Sequence, residues 1–234
     1  MENNLSGTIF VEFYGLSGCG KSTISHAVSR RLREDGFSVS EPSFSIDHRK
    51  PLVRRIIKLM VFLWWYLFHH KYYAMLNGIS RKNGYRGSEA LTQTLNLIQK
   101  LRVYRKPSSK IVIWDQGLVQ AAISLSVNEK ITAYQNLMEL LTFVPKNTII
   151  HRILLPVDVK TALMRMYERH STSTRVDKLG DDESKLELLK VYEKEIKTIS
   201  EGFGKTDEFV VRDSEDKETR IEDSYKSIKE KCLR

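Results

Sequence analysis

The chain has 234 residues with 41% hydrophobic content, which is the size and composition of one soluble α/β domain. Its two cysteines, Cys19 and Cys232, exclude a disulfide framework or a zinc site built from cysteines alone, and they favour a reducing compartment. The net charge of +9 is concentrated in residues 49–110, which hold fourteen Lys or Arg and one acid, so this segment predicts either an anionic partner or a solvated basic face.

Short β-type runs and longer helical patterns alternate along the chain. The first six residues are polar and lack the basic and apolar parts of a signal peptide, so we expect a cytoplasmic protein. Strands are predicted at residues 8–14, 37–40, 111–114, 148–155 and 208–212. Helices are predicted at residues 21–34, 156–170, 184–200 and 215–232. This alternation predicts βαβ units with a parallel sheet, in a single domain that spans residues 1–234.

Local signals set the expected ends of several elements. Gly36 is expected to end the first helix as its C-cap, and Pro42 is expected to stop the second strand. Pro156 is suited to the first turn of the helix predicted to begin there. A further helix is indicated by four apolar residues that share one face at helical spacing: Leu91, Leu95, Ile98 and Leu101.

Residues 56–68, IIKLMVFLWWYLF, form a strongly apolar segment within the basic part of the chain. The uninterrupted apolar run, residues 59–68, is ten residues long, whereas a helix that spans a bilayer needs about twenty. We expect a helix that is buried in the core or at an oligomer interface, and the second case would give a homodimer. The alternative is a helix in the surface of an anionic membrane, because Arg54, Arg55, Lys58 and Lys71 flank the aromatic residues.

Residues 15–22, GLSGCGKS, match the P-loop pattern GxxxxGK[ST] and lie between a predicted strand and a predicted helix. Glycines let the backbone fold tightly, so that several N–H groups and the positive end of the following helix face one phosphate. Lys21 is expected to reach the β- and γ-phosphates, and Ser22 to bind Mg²⁺. The predicted contacts to a nucleoside triphosphate are Gly15, Ser17, Gly18, Cys19, Gly20, Lys21, Ser22 and Thr23.

Two carboxylates follow predicted strands, at the edge where parallel strands end. Asp115 comes directly after the strand at 111–114, and we expect it to hold Mg²⁺ near Ser22, directly or through water. Glu41 follows the second strand, where ligands of open parallel sheets bind, and would accept a proton from an attacking hydroxyl or orient a substrate. The alternatives are that Asp115 is an ordinary strand-end or helix-cap residue and that Glu41 faces solvent in a loop.

Arginines cluster in the second half of the chain. Arg165 and Arg169 are four residues apart and therefore share a helix face, and Arg175 follows a polar run at residues 171–174. Arginines on a lid at about residues 165–180 would close over the triphosphate and neutralise charge in the transition state. The alternative is a solvated helix face that includes Glu168.

These landmarks, in this order, resemble the thymidylate kinase family of nucleoside and nucleotide kinases. The resemblance rests on the P-loop, the Glu41-Pro42 pair, Asp115, and residues 153–170, ILLPVDVKTALMRMYERH, which are similar to the family's strand, proline and lid helix. It implies a three-layer P-loop NTPase fold with a five-stranded parallel sheet and a helical lid, ATP and Mg²⁺ as cofactors, and a nucleoside monophosphate as phosphate acceptor. The catalytic residues implied are Lys21, Glu41 and Asp115, with Arg165, Arg169 or Arg175 supplying the arginine that the P-loop lacks.

Departures from the family leave the acceptor open. Gln116 follows Asp115 where the family has arginine, and residues 43–50, SFSIDHRK, lack the family's glycines. Deoxynucleoside kinases share a P-loop and a Glu-Pro pair, and in them the glutamate is the base for a sugar hydroxyl. The alternatives are therefore a kinase of a nucleoside or other hydroxyl acceptor, or a nucleotide-dependent switch recruited to a membrane or a partner. A nucleic-acid-binding NTPase fits the charge, but no recognition motif supports it.

Overall fold

A parallel sheet of five strands organises the chain in the computed structural model, which describes residues 7–43, 60, 63–64, 66–128, 130–168, 176–203, 208–213 and 216–233. The strands are β1 (Ile9–Tyr14), β2 (Val39–Ser40), β3 (Ile111–Trp114), β4 (Ile149–Leu154) and β5 (Glu208–Val210). Their order in the sheet is β2-β3-β1-β4-β5. The predicted five-stranded parallel sheet is confirmed, although β2 and β5 are shorter than the sequence predicts.

Strand β1 is the centre of the sheet, because it pairs with β3 on one side and with β4 on the other. The register places Ile9 beside both Ile111 and Ile149, so the three strands start at one edge and end at the opposite, carboxyl edge. Every residue of β1 and β3 is buried. Burial on both faces explains why these strands consist of apolar and aromatic residues, with Glu12 as the exception.

Helices cover both faces of the sheet, which gives the three layers that the resemblance implies. They are α1 (Lys21–Glu34), α2 (His70–Lys82), α3 (Gly87–Arg105), α4 (Leu118–Leu125), α5 (Ala133–Leu141), α6 (Val159–Glu168), α7 (Asp182–Gly202) and α8 (Lys217–Leu233). One core cluster joins α1 and α8 to the face of β1 that carries Val11. The other cluster joins helices α2 to α7 to the face that carries Phe10 and Tyr14.

Helix α1 starts and ends where the sequence predicts. Gly36 has a φ of +87° and follows the C-cap residue Asp35. Its N–H donates to the carbonyl oxygen of Arg33, and the N–H of Phe37 donates to that of Leu32. These two hydrogen bonds form a Schellman motif, so the expected helix stop at Gly36 is confirmed.

Helix α6 begins at Val159, so the prediction that Pro156 lies in its first turn is wrong. The side chain of Asp158 accepts a hydrogen bond from the Thr161 N–H at 3.0 Å, which caps the helix two residues after the proline. The Pro156 carbonyl oxygen accepts a hydrogen bond from Arg220 instead. The helix extends to Glu168, and the last two residues of the predicted helix lie outside the described residues.

The buried face of α3 is rotated from the apolar face seen in the sequence. Ile98 and Leu101 are buried, whereas Leu91 and Leu95 are half-buried. The other buried positions of this helix are Ala90, Thr94, Leu97 and Tyr104. The Tyr104 ring stacks on Phe10 of β1 with ring centroids 4.4 Å apart, and this long-range contact favours the observed rotation.

The apolar segment at residues 56–68 is exposed wherever the structure describes it. Residues 60, 63–64 and 66–68 are helical. Exposed fractions reach 58% for Trp64 and 63% for Phe68, so the prediction of a core helix is wrong for these residues. The oligomer-interface and membrane-surface interpretations stay predictions. Among the described residues, no helix has the length and apolar character needed to cross a membrane.

Candidate active site

The loop between β1 and α1 has a conformation that depends on its glycines. Gly15, Gly18 and Gly20 have φ angles of +148°, +86° and +93°. A Cβ atom on Gly18 would lie only 2.3 Å from the carbonyl oxygen of Ala162 in α6. Gly18 therefore permits both the positive φ and the direct packing of α6 against the loop.

The first turn of α1 is open to an anion. The N-cap residue Gly20 makes no side-chain capping bond, and the first turn contains no acid. Helices α5 and α7 differ, because the side chains of Thr132 and Asp181 accept hydrogen bonds from their first turns. The first N–H groups of a helix have no intrahelical acceptor, so α1 presents donors and the positive end of its dipole to a phosphate.

The Lys21 ammonium group lies over the same loop, and its contact with the β- and γ-phosphates stays a prediction. Its Nζ donates to the carbonyl oxygens of Gly15 and Leu16, each at 2.8 Å. Thr23 is exposed in the first turn of α1, and Ser17 is half-buried in the loop. Cys19 is fully buried, and its N–H donates to the carbonyl oxygen of Leu16 at 3.2 Å.

Ser22 and Asp115 meet at the carboxyl edge of the sheet. The Ser22 hydroxyl donates to Oδ2 of Asp115 at 2.6 Å, although the residues are 93 positions apart. The second carboxylate oxygen, Oδ1, is buried and has no hydrogen-bond donor among the described residues. A buried carboxylate oxygen without a hydrogen-bond partner destabilises the folded state unless a cation or a water molecule interacts with it.

This pair has the chemistry of a Mg²⁺ site. Mg²⁺ prefers hard oxygen ligands, and in phosphate-transferring sites it is usually held by one or two carboxylates together with substrate phosphates. Ser22 and Asp115 supply a hydroxyl and a carboxylate beside the phosphate-facing turn of α1. The described residues contain no group of three His, Cys, Asp or Glu side chains placed to hold a metal, so phosphate and water oxygens would complete this site.

A cleft of about 480 Å³ opens beside the Ser22–Asp115 pair, and Glu41 is part of its wall. Glu41 is 7% exposed, which rules out the alternative of a solvent-facing acid. The Arg33 guanidinium donates to Oε2 at 2.7 Å, and Nδ1 of His26 lies 3.1 Å from Oε1. The structure therefore brings Ser22, Asp115 and Glu41 together in one cleft, with the Glu41 carboxylate oriented by a cation.

Lys100 of α3 places a positive charge at the end of β3. Its Nζ donates to the carbonyl oxygen of Gln116 and lies 5.2 Å from the ring centroid of Trp114. Gln116 occupies the position where the family has arginine, and Lys100 puts a cation beside that position. The sequence pattern did not single out Lys100, because a separation of 16 residues along the chain carries no local signal.

Of the three arginines predicted to belong to a lid, only Arg165 lies among the described residues. It is half-buried on α6, the helix that packs against Gly18 of the P-loop. Arg169 and Arg175 lie outside the described residues, so their roles stay predictions. Arg165 is therefore placed on an element that contacts the P-loop, as a charge-stabilising residue requires.

Arg220 of α8 is a further arginine at the P-loop that sequence reasoning missed. It is 3% exposed and donates to the carbonyl oxygens of Cys19 at 3.2 Å and Pro156 at 3.0 Å. Burial lowers the pKa of Arg220, with Cys19 acting against this shift and the positive charge of Arg165 adding to it. Arg220 therefore ties the P-loop to the segment that precedes α6.

Glu12 in the middle of β1 holds the turn that follows Asp115. It is 1% exposed, its Oε2 accepts a hydrogen bond from the Val119 N–H at 2.8 Å, and the Tyr104 hydroxyl donates to Oε1. Burial, followed by the charge of Glu12, raises the pKa of Tyr104 and keeps it protonated. A Cβ atom on Gly117 would lie 2.5 Å from Cδ of Glu12. One acid inside an apolar strand was a visible signal of such a role, because buried charges are normally paired.

Comparisons with family models and with curated proteins find no match. A solved structure of deoxyadenosine kinase from M.mycoides, with products dCMP and a flexible dCDP bound, is similar with a TM-score of 0.53 and 21% sequence identity. The match covers 94% of this chain and 99% of that chain. The chain has the α/β P-loop NTPase fold. A shikimate kinase from Acinetobacter baumannii in complex with shikimate has a TM-score of 0.46 and 15% identity, over 97% of this chain and 94% of that chain. The specific resemblance to thymidylate kinases is not confirmed by these comparisons.

Proposed function

We propose that this protein is an ATP- and Mg²⁺-dependent phosphotransferase that acts on a small molecule. The observation that carries the proposal is the Ser22–Asp115 pair, joined at 2.6 Å with one buried carboxylate oxygen left without a donor, beside the uncapped first turn of α1. Ser22 and Asp115 would hold the Mg²⁺ ion, which when bound supplies charge neutralisation between the β- and γ-phosphates.

The roles of the other residues follow from their positions around the loop. Phosphoryl transfer depends mainly on positioning and on electrostatic stabilisation of charge. The N–H groups of the loop and of α1 would orient the phosphates, and Lys21 would exchange its loop carbonyl contacts for phosphate oxygens. Arg165 would add positive charge from α6, while Glu12 keeps the turn after Asp115 in place.

We propose a hydroxyl group of a nucleoside as the acceptor, in preference to a nucleoside monophosphate. Glu41 supports this choice, because it is a buried carboxylate in the same cleft as Ser22 and Asp115. Arg33 and His26 hold this carboxylate in place, and a carboxylate oxygen is the kind of acceptor that the proton of a substrate hydroxyl requires. Glu41 would accept the hydroxyl proton as the oxygen attacks the γ-phosphorus, while the bond from that phosphorus to the bridging oxygen breaks and ADP leaves. The deoxyadenosine kinase of similar fold is consistent with this acceptor class.

A second candidate, a nucleoside monophosphate kinase, is favoured by Lys100. The ammonium group of Lys100 lies at the carboxyl end of β3, next to Gln116. A fixed cation at this edge of the sheet would bind an acceptor phosphate, and a phosphate nucleophile needs no general base.

The test is a phosphate-transfer screen with ATP and Mg²⁺ against nucleosides and nucleoside monophosphates, with Lys21→Ala as the inactive control. For a hydroxyl acceptor, Glu41→Gln should lower kcat by about 100-fold or more, the range of general-base catalysis, while Lys100→Met leaves kcat nearly unchanged. For a phosphate acceptor, Lys100→Met should raise KM for that acceptor and Glu41→Gln should have little effect. ATP hydrolysis without transfer to any acceptor would contradict both candidates and favour a nucleotide-dependent switch.

A further inference from the structure

Eight large apolar side chains are exposed on the helical residues just before α2 and in its first turns, and they are here named the apolar patch. Its members are Met60, Leu63, Trp64, Tyr66, Leu67, Phe68, Tyr72 and Met75. The Trp64 and Phe68 rings lie 4.5 Å apart between centroids, so these two members of the patch contact each other. Soluble monomers rarely expose apolar surfaces of this extent, and such patches usually mark an interaction site.

Two basic side chains, Lys71 and Arg105, lie at the apolar patch. Lys71 is exposed within it, and the Arg105 guanidinium carbon lies 4.5 Å from the ring centroid of Tyr72. From residue 60 to residue 110 the chain contains nine Lys or Arg and one acid, Glu89. The patch therefore combines large apolar side chains with basic side chains at its border, in a part of the chain that carries a net positive charge.

Tyr72, one member of the apolar patch, is placed relative to the candidate active site by its contact with α3. Lys100 of α3 is at the carboxyl end of β3, where it contacts Gln116. Arg105, which contacts Tyr72 of the patch, is five residues further along α3, or about 7.5 Å closer to the amino edge.

We propose that the apolar patch binds the surface of an anionic lipid bilayer. Tryptophan and tyrosine side chains are favoured at the boundary between lipid headgroups and acyl chains, and Lys or Arg residues beside them are attracted to anionic lipids. No helix among the described residues can cross a bilayer, so the patch would lie in the interface and bury its apolar side chains there.

Charge distinguishes this partner from a second copy of the chain. In a two-fold symmetric dimer the same patch faces itself, which would bring the two cationic borders together. Like charges repel across such an interface, whereas an anionic membrane attracts the same border. Charge complementarity therefore favours the bilayer.

The test is co-sedimentation of the full-length chain with vesicles of phosphatidylcholine alone and with vesicles that also contain phosphatidylglycerol. We expect binding to the anionic vesicles that weakens as salt is raised. Trp64→Ser combined with Phe68→Ser should weaken this binding by at least about tenfold, because both side chains are exposed and available to the bilayer. Lys71→Glu combined with Arg105→Glu should also weaken binding by at least about tenfold.

The matched control replaces two exposed apolar residues outside the patch, Met138→Ser and Leu233→Ser. It should bind anionic vesicles as the wild type does, and thermal unfolding should show that all variants fold. Failure of the wild type to bind anionic vesicles at low salt would overturn the proposal, as would equal binding by the Trp64/Phe68 variant. A dimer in analytical ultracentrifugation that the Trp64/Phe68 variant converts to monomer, without vesicle binding, would assign the patch to a second copy instead.

Discussion

Replacing Gly18 by alanine tests whether the P-loop and α6 are packed as one unit. A Cβ atom there would lie 2.3 Å from the Ala162 carbonyl oxygen and 3.2 Å from Cγ of Met166. Gly36 offers a matched control, because its φ of +87° is almost the same as the +86° of Gly18 and nothing lies within 4 Å of its added Cβ. Both substitutions carry the left-handed backbone strain of about 1–2 kcal/mol, partly offset by reduced freedom of the unfolded chain.

The difference between the two variants isolates the steric contact. Overpacking typically destabilises a folded protein by about 1–3 kcal/mol. Gly18→Ala should therefore lower the free energy of unfolding by about 2 kcal/mol more than Gly36→Ala does. For a chain of this size that difference lowers the melting temperature by roughly a further 4–8 °C. If α6 retreats to relieve the contact, the loop is displaced, and ATP should bind at least about tenfold more weakly, which corresponds to about 1.4 kcal/mol.

Urea denaturation measures the loss of stability, and isothermal titration calorimetry with ATP measures the loss of affinity. We expect Gly36→Ala to bind ATP as the wild type does. Equal losses of stability in the two variants, together with unchanged ATP affinity for Gly18→Ala, would refute the reasoning. That outcome would mean that α6 moves freely relative to the loop.

Three further predictions concern the metal site, a buried arginine and a buried histidine. Asp115→Asn removes the carboxylate charge, so it should lower kcat by at least roughly 100-fold and leave ATP binding in the absence of Mg²⁺ nearly unchanged. Retained turnover in a phosphate-transfer assay would contradict the proposed metal role. Arg220→Met should lower the free energy of unfolding in urea by about 2–3 kcal/mol, because two backbone carbonyl oxygens lose their donor, and unchanged stability would contradict this role. Burial lowers the pKa of His151 from 6.5 to about 4, so the unfolded chain binds more protons and the protein loses roughly 2–3 kcal/mol of stability as pH falls from 6.5 to 4. The stability of His151→Gln should lack this loss between pH 6.5 and 4. Burial also raises the pKa of Glu208 to about 7, but it does so in the wild type and in the variant, so its effect on stability cancels when the two are compared. A difference in unfolding free energy between the two proteins that stays constant with pH would contradict this prediction.

The elements that the sequence predicts well are those whose pattern is local. Strand β3 and helix α1 have the predicted bounds. Neighbouring residues specify both elements, because β3 is a short apolar run that is buried on both faces, and α1 lies between the P-loop and a glycine. Helix α6 shows the limit of this approach, since Pro156 and Asp158 both fit a helix start. The structure places the cap at Asp158, while Arg220 from the far end of the chain binds the Pro156 carbonyl oxygen.

Residues that act through long-range contacts left a weaker signal or none. Arg220 reaches Cys19 across 201 positions, and Lys100 reaches Gln116 only because α3 packs beside β3. Glu12 was visible as one acid in an apolar strand, but its partners in α3 and α4 were not. Each of these contacts depends on how helices pack on the sheet, which local periodicity does not encode.

The sequence by itself determined the glycine-rich P-loop motif, the alternation of strands and helices, and the pair of acids at strand ends. Backbone conformation and burial along a single element are sufficient to specify these features. Tertiary structure alone decided that Ser22 and Asp115 are in contact, that Glu41 is a buried member of the same cleft, and that the apolar segment faces outward where it is described. An apolar run has the same sequence pattern whether its side chains pack in the core or face a binding partner. Only the packing of the rest of the chain distinguishes these two cases.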